Sequence, residues 1–115
     1  FQNRFKRLAG RTMRPLDYNA WTAVRSVGEA ATRKNTADPK VLIAYMRSPE
    51  FELAAFKGQK VTYRAWNGQL RQPILVATAK ILVTVSPQQG FLHQLTELDT
   101  LGVDQPETKC TAFKK

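Results

Sequence analysis

The hydrophobic period of this chain changes once, near Lys57-Gly58, and that change constrains the fold more than any other feature. Before it, apolar residues recur three or four positions apart, as on one face of a helix; after it, they alternate with polar residues, as in a strand. Asn67-Gly68 separates two strand-like runs, which favours a hairpin because tight hairpin turns need positive φ. The order predicts a mixed α and β chain that begins with helices.

Two helices are expected in the first part of the chain. The first is short and ends at Gly10, a residue that suits a helix C-terminus. Asp17 is a good N-cap for a second helix that runs to about Lys34. The residues expected to share one face of the short helix are Phe1, Phe5 and Leu8. The stripe expected to be buried on the second helix is Ala20, Trp21, Val24, Val27 and Ala31.

A third helix is predicted to start at Asp38-Pro39, because the carboxylate can cap free amides and proline suits the first helical position. Pro49 stops it near Arg47 or Ser48. Its predicted buried face consists of Val41, Leu42, Tyr45 and Met46.

Three strands are predicted after the helices. The first covers Val61 to Trp66, and the return strand covers about Gln69 to Ala77, with Pro73 favouring an edge or a bulge. The third spans Ile81 to Val85. We therefore expect one unit over residues 1–87 and an extended tail over 88–115. The apolar residues expected to hold the tail down are Phe91, Leu92, Leu95, Leu98 and Leu101.

The charge of the chain is strongly positive, with 18 basic and 9 acidic residues and a net charge of +9. Such a field can attract nucleic acid or anionic lipid. The aromatic residues do not interleave with the basic ones as a base-stacking platform requires, which favours solvated helix faces and no nucleic-acid partner. The basic residues that precede Asp17 are Arg4, Lys6, Arg7, Arg11 and Arg14.

Catalysis has little support in the sequence. His93 is the only histidine and has no serine nucleophile motif near it, so a hydrogen-bonded structural histidine is expected. Glycine-rich phosphate loops and calcium loops are absent from the sequence. We expect no enzyme, no cofactor and no metal site. Cys110, the only cysteine, excludes a disulfide within the chain and leaves two alternatives open, a partner elsewhere or a free thiol.

The start of the second helix is the best candidate for a ligand contact. Asp17, Tyr18 and Trp21 lie there, and a helix N-terminus presents unpaired amides and the positive end of a dipole. This arrangement suits a carboxylate or another anionic group. The alternative is that Trp21 belongs to the core and Tyr18 packs at its edge.

Several motifs resemble one protein family along nearly the whole chain. The general ones are the helix entry Leu16 to Trp21 and the Asp38-Pro39 step, which are similar to the C-terminal part of type I periplasmic substrate-binding proteins, the branched-chain amino acid receptor group. A subgroup associated with pyrroloquinoline quinone-dependent alcohol dehydrogenase systems is indicated by more specific segments. These segments are Phe51 to Gly58, Trp66 to Pro73, Gly90 to Gln94, Leu98 to Gly102 and Asp104 to Glu107.

This resemblance implies a C-terminal fragment, roughly the last third, of a receptor whose two α/β lobes close on a ligand by a hinge. It implies export to the periplasm and a non-enzymatic role in an ABC-type uptake or sensing system linked to quinoprotein alcohol oxidation. The implied partners are a small-molecule ligand, the remainder of the receptor chain, an ABC-type membrane permease and a quinoprotein dehydrogenase. Tyr18 would lie near the cleft between lobes. Alcohol-derived acids, an amino acid and the quinone cofactor remain open as ligands.

Two other hypotheses come from different classes of function. The first is a small basic module that binds nucleic acid, with an affinity that falls steeply as salt rises. The second is an assembly partner that docks on a dehydrogenase through an exposed strand edge.

Overall fold

Three α-helices precede five short strands in the computed structural model, which describes residues 1–93 and 96–113. This order confirms the predicted mixed α and β class with helices first. Two 3-10 turns, Glu97–Thr100 and Gln105–Glu107, lie in the C-terminal part. The helices are α1 (Gln2–Ala9), α2 (Pro15–Lys34) and α3 (Pro39–Met46). The strands are β1 (Leu53–Ala54), β2 (Lys60–Tyr63), β3 (Leu70–Arg71), β4 (Ile74–Ala77) and β5 (Leu82–Ser86).

The helix ends follow local chemistry, with one correction. Gly10 ends α1 in the left-handed region, with φ 67°, and Asp38 caps α3 by accepting a hydrogen bond from the Lys40 N–H at 2.9 Å. The prediction that Asp17 is the N-cap of α2 is wrong. The helix begins two residues earlier, at Pro15, and Asp17 accepts a hydrogen bond from the backbone N–H of Arg14 at 2.8 Å. Proline suits this first position because it has no N–H to leave unpaired.

The hydrophobic core lies between α2, α3 and the first two strands. Its buried members are Ala30, Leu42, Tyr45, Phe51, Leu53, Ala55 and Val61. In α3 the prediction is confirmed for the buried Leu42 and Tyr45, and Met46 packs against the core, but Val41 is exposed.

The face of α2 that meets the core differs from the predicted one. Thr22, Ser26 and Ala30 are buried, whereas Ala20, Val24 and Val27 of the predicted stripe are exposed. Small side chains allow close approach of neighbouring elements. Their hydroxyls remain hydrogen-bonded, because Thr22 and Ser26 donate to the carbonyls of the residues four positions earlier, at 2.8 Å each. A polar face can therefore be buried without unpaired groups. Trp21 and Ala31 are partly buried against the core, as predicted.

The strands form two separate antiparallel sheets. One has the order β1-β2-β3, with Leu53 opposite Val61 and Tyr63 opposite Leu70. The predicted hairpin around Asn67-Gly68 is confirmed, but its turn is not a tight two-residue one: it covers residues 64–69, and of the pair only Gly68 has positive φ, 71°. The Gln69 N–H donates to the Asn67 side chain at 2.9 Å. The first strand ends at Tyr63, earlier than predicted, because Arg64 already belongs to the turn.

The predicted single return strand from Gln69 to Ala77 is wrong. The buried Pro73 divides it into β3 and β4, and β4 pairs with β5 in a hairpin of its own. Proline lacks the N–H that a ladder needs, which explains the break. Both strands of this hairpin are largely exposed, with Ile74, Leu82 and Val83 among the exposed apolar residues.

The C-terminal tail is partly as predicted. Leu98 is buried and Leu101 is half-buried, but Phe91 and Leu92 are exposed, and Leu95 lies outside the described residues. The tail is instead held mainly through polar contacts with Arg64, described below. In the part of the chain that the structure covers, none of the helices is both long and apolar enough to cross a bilayer.

Candidate functional site

Tyr18 and Trp21, two of the three ligand residues predicted from the sequence, belong to a cluster of four aromatic rings. This aromatic cluster comprises Phe1, Tyr18, Trp21 and Phe56. Ring centroids of Phe1 and Trp21 are 4.5 Å apart, and those of Phe1 and Phe56 are 4.9 Å apart in a stacked arrangement. Phe1 also meets the Tyr18 ring edge-on, with centroids 6.3 Å apart. Each such pair contributes about 0.5–1.5 kcal/mol to stability in addition to the contribution of the apolar area that it buries.

Phe56 is an unusual member of the aromatic cluster. Its φ is 57°, in the left-handed region that bulky residues rarely adopt, yet its side chain is 68% exposed. Lys57 follows it and places its Nζ 4.8 Å from the centroid of the Tyr18 ring. A bulky residue held at positive φ and left open to solvent is a feature that clusters at binding sites. The aromatic cluster thus combines an apolar surface with a neighbouring cation.

Tyr18 connects the aromatic cluster to the sheet. Its hydroxyl donates a hydrogen bond to the carbonyl of Ala55 at 2.7 Å, and partial burial raises the pKa of Tyr18. The hydroxyl oxygen can still accept a hydrogen bond from a ligand. Trp21 lies in the same cluster and also packs against the core, which is the packing role considered from the sequence.

Asp17 is engaged by an arginine. Arg11 holds both carboxylate oxygens, at 2.6 and 2.7 Å, and the Arg14 N–H adds a third hydrogen bond. The hydrogen bonds from Arg11, then from Arg14, lower the pKa of Asp17 to about 2. The carboxylate of Asp17 therefore lies at the N-terminus of α2, the position that the sequence predicted for an anionic ligand group.

A second concave region is lined by residues of the β2–β3 turn and of the C-terminal segment. This C-terminal cleft has a volume of about 1370 Å³. Small-molecule sites are usually clefts of about 300–1,000 Å³, so this one is larger and more open. Its lining includes Tyr63, Trp66, Arg71, His93, Asp104 and Cys110.

Arg64 lines the C-terminal cleft and is 2% exposed. A guanidinium has five N–H donors, and each group of Arg64 finds an acceptor. The acceptors and distances are Asp99 Oδ1 at 3.1 Å, Gln69 Oε1 at 2.9 Å, and the carbonyls of Val103 at 3.2 Å, Leu101 at 2.6 Å and Asp99 at 3.5 Å. One buried side chain therefore ties the β2–β3 turn to residues 99–103.

Asp99 joins two arginines. Besides Arg64, it accepts a hydrogen bond from Arg71 at 2.7 Å and one from Thr96 at 2.6 Å. Burial acts to raise the pKa of Asp99, but the Thr96 hydrogen bond and the charge of Arg71 outweigh it, so the pKa lies below its ordinary value. We call Arg64, Arg71 and Asp99 the arginine clamp. Sequence reasoning missed it because its members are far apart and belong to no local pattern.

His93 lies on the same cleft, where its Nε2 is 3.0 Å from the Asp104 carboxylate. Its backbone N–H donates to the Thr100 hydroxyl at 2.7 Å. The predicted hydrogen-bonded histidine is confirmed. Cys110 is a half-buried free thiol on this cleft. Among residues 1–93 and 96–113, His, Cys, Asp and Glu form no group of three that could hold a metal ion.

An apolar stripe on α2 faces solvent. Spacings of three and four place its members on one side of the helix, away from the core. Leu16 is 79% exposed and Val24 is 74% exposed. The full set, here called the α2 stripe, is Leu16, Ala20, Ala23, Val24 and Val27. Apolar residues exposed along one side of a helix make this surface a candidate interaction site.

Comparison with known proteins found no matching family model, no matching curated protein and no matching solved structure.

Proposed function

We propose that this chain is part of a non-enzymatic periplasmic solute-binding protein that serves an ABC-type uptake or sensing system linked to quinoprotein alcohol oxidation. The motif resemblance supports this proposal. The proposed partners are a small-molecule ligand, the remainder of the receptor chain and a membrane permease.

The observation that carries the proposal is the uncovered α2 stripe. In lobes that combine helices and a sheet, each helix buries its apolar face against another layer. Here α2 buries a small polar face and leaves Leu16, Val24 and Val27 open. We infer that the remainder of the receptor covers the α2 stripe.

Under this proposal, the two small sheets lie at the edge of such a lobe. All strand pairs among the described residues are antiparallel, whereas the central sheet of an α/β lobe is mostly parallel. Under this proposal the chain supplies helices and hairpins, and the remainder of the receptor supplies the central sheet.

The aromatic cluster supports a ligand with an apolar body and a carboxylate. Tyr18 and Trp21 would contact the body, and Lys57 would pair with the carboxylate. Asp17 would act indirectly, by fixing the entry of α2 through Arg11. All three open ligand classes carry a carboxylate, but alcohol-derived acids lack the ammonium group of an amino acid, for which Asp17 offers no free carboxylate because Arg11 holds it. We therefore propose alcohol-derived acids as the ligand class.

Cysteine labelling tests the covering of the α2 stripe. A cysteine is placed at Val24 in a Cys110→Ser background, in the 115-residue chain and in the complete product of its reading frame. We expect fast maleimide labelling in the short chain, because Val24 is exposed, and at least tenfold slower labelling in the complete product. Equal rates in both would overturn the proposed role of the stripe.

The matched control is a cysteine at Lys80, at the turn of the β4–β5 hairpin. Its labelling is expected to be fast in both forms. Slow labelling of this control only in the complete product would show general shielding rather than a specific cover of α2.

Titration calorimetry with short-chain carboxylates tests the solute. The complete product is expected to bind one of them, and Lys57→Gln is expected to weaken binding by roughly tenfold, since a charge-assisted hydrogen bond contributes about 1.5–3 kcal/mol. Lys80→Gln serves as the charge-matched control and should leave binding unchanged. Absence of binding to the carboxylates would contradict this ligand class.

The β4–β5 hairpin favours a second candidate function. Each of its strands pairs only with the other among the described residues, so its outer edges carry free backbone groups. A chain with such an edge can dock on a dehydrogenase by adding a strand. Val83→Pro would remove a donor from β5 and is expected to abolish copurification with a quinoprotein. Gln89→Pro is the control, because the exposed Gln89 lies outside the strands at the second position of the turn closed by the Phe91 N–H and the Gln88 carbonyl, which suits proline.

A further inference from the structure

The first helix concentrates positive charge that the described residues do not neutralise. Residues 1–16 contain five basic side chains and no acidic one. Arg11 pairs with Asp17. In contrast, Arg4, Lys6 and Arg7 of α1 are exposed and form no ion pair within residues 1–93 and 96–113. α1 therefore presents three unpaired cations within a single helix of eight residues.

The other side of α1 is apolar and ends in an uncovered residue. Phe1, Phe5 and Leu8 are spaced four and three apart, so they share one side of the helix. Phe1 packs into the aromatic cluster, whereas Leu8 is 88% exposed. Lys6 and Arg7 lie on the opposite side, and Arg4, three residues after Phe1 and four before Leu8, borders the apolar side. An apolar side flanked by basic side chains is typical of helices that lie in a membrane interface.

We propose that α1 binds the surface of a lipid bilayer that contains anionic headgroups. Leu8 enters the boundary between headgroups and acyl chains, and Arg4, Lys6 and Arg7 pair with lipid phosphates. The basic side chains match the anionic headgroup layer of such a bilayer, and the apolar side chain matches the acyl chains beneath it.

Two observations favour lipid over nucleic acid. An exposed aliphatic side chain such as Leu8 gains nothing from a phosphate backbone. The aromatic residues of this region are also engaged, because Phe1 stacks on Phe56 and Phe5 lies 5.1 Å from the Arg11 guanidinium. Neither ring is free to stack on a base, which nucleic-acid modules require.

Vesicle flotation tests the proposal. The 115-residue chain is mixed with vesicles of phosphatidylcholine alone or of phosphatidylcholine with phosphatidylglycerol, at low and at physiological salt. We expect binding to the anionic vesicles and at least tenfold less to the neutral ones. Arg4→Gln with Arg7→Gln should weaken binding by about 25-fold, since each basic residue contributes about 1 kcal/mol at an anionic surface.

Leu8→Ser separates lipid from nucleic acid. It is expected to weaken vesicle binding by about tenfold or more, through loss of the buried apolar side chain. The fold should be unaffected because Leu8 is exposed, and circular dichroism checks this. The matched controls are Ile81→Ser, at an exposed apolar site on the hairpin, and Lys80→Gln with Lys109→Gln; both should bind as the unchanged chain does.

Several outcomes would overturn the proposal. These are no binding to anionic vesicles, equal binding to neutral vesicles, or an equal loss of binding in the control variants. Binding of a DNA duplex that persists in Leu8→Ser, without vesicle binding, would assign the basic surface to nucleic acid instead.

Discussion

Arg64 shows how one residue can organise a segment far from it in sequence. It is buried, its donors are all engaged, and its acceptors include a carboxylate and three carbonyls of residues 99–103. The C-terminal segment has few apolar anchors, since Leu98 is its buried hydrophobic residue among those described. Polar contacts to Arg64 therefore hold the C-terminal segment in place of apolar packing.

Arg64→Met is expected to destabilise the chain by about 3 kcal/mol, because three carbonyls of residues 99–103 lose their donor together and each buried group left unsatisfied costs about 1–3 kcal/mol. Asp99 keeps its hydrogen bonds from Arg71 and Thr96. Urea unfolding followed by circular dichroism measures the change. Arg25→Met is the control, since Arg25 makes an exposed helix-surface pair with Glu29 and should have little effect on stability. Equal effects of both variants would mean that the arginine clamp contributes nothing specific.

The residues that carry the arginine clamp could not be predicted from the sequence. Arg64 and Asp99 are 35 positions apart, and neither belongs to a periodic pattern. By contrast, a structural, hydrogen-bonded role for His93 was predictable because the sequence has no serine nucleophile motif near it. Its partner Asp104 was not predictable. Local chemistry can be inferred from neighbours, whereas a pairing between distant residues depends on the completed fold.

At the scale of elements, the residues that end helices and form turns were predicted well, whereas the buried face of α2 was not. Gly10, Asp38-Pro39 and Gly68 each do what their conformational preferences predict, although the turn at Gly68 is longer than a tight hairpin turn. The buried face of α2 could not be predicted, because both faces carry small residues and the choice depends on what α3 and β2 present. Pro73 was expected to disturb a strand, but its division of one strand between two sheets required knowledge of β5 as a partner.

Two glycines of opposite conformation give a matched pair of predictions. Gly68 has φ 71°, and an added Cβ would lie 2.8 Å from the Phe113 ring. Gly68→Ala is therefore expected to destabilise the chain by about 1–2 kcal/mol, the cost of left-handed backbone for a residue with a Cβ. Gly28 lies inside α2 with open space around it, and Gly28→Ala should stabilise by about 0.5–1 kcal/mol.

Thermal unfolding of the two glycine variants checks the pair. A raised melting temperature for Gly68→Ala would contradict the assigned turn. An unchanged or lowered melting temperature for Gly28→Ala would contradict the open space around Gly28 in α2.

At the scale of the whole molecule, charge decides the response to acid. The net charge is +9 with nine acidic residues ionised, so their protonation raises it to +18 without His93. Self-repulsion grows with this charge. The pKa values of Asp17 and Asp99 are lowered in the folded chain, so their contribution to stability is present above their unfolded pKa and is lost as the pH falls through the folded one.

Stability is therefore expected to fall as the pH drops below about 4, the unfolded pKa of an aspartate, and the contribution of Asp17 is lost near its folded pKa of about 2. Unfolding by urea at a series of pH values measures the slope. Asp99→Asn should flatten the slope in this range, whereas Glu107→Gln, an exposed acid outside the clamp, should not. A slope that Asp99→Asn leaves unchanged would contradict this assignment.

The two tryptophans lie in different parts of the molecule, and this gives the chain two separate fluorescent reporters. Trp21 emits from among the rings of the aromatic cluster, and Trp66 lies with its ring 5.6 Å from the Arg64 guanidinium. With Trp66→Phe, the remaining emission follows the helices; with Trp21→Phe, it follows the release of the C-terminal segment. Comparing the two unfolding curves would tell directly whether the two ends of the chain come apart in one step or in succession.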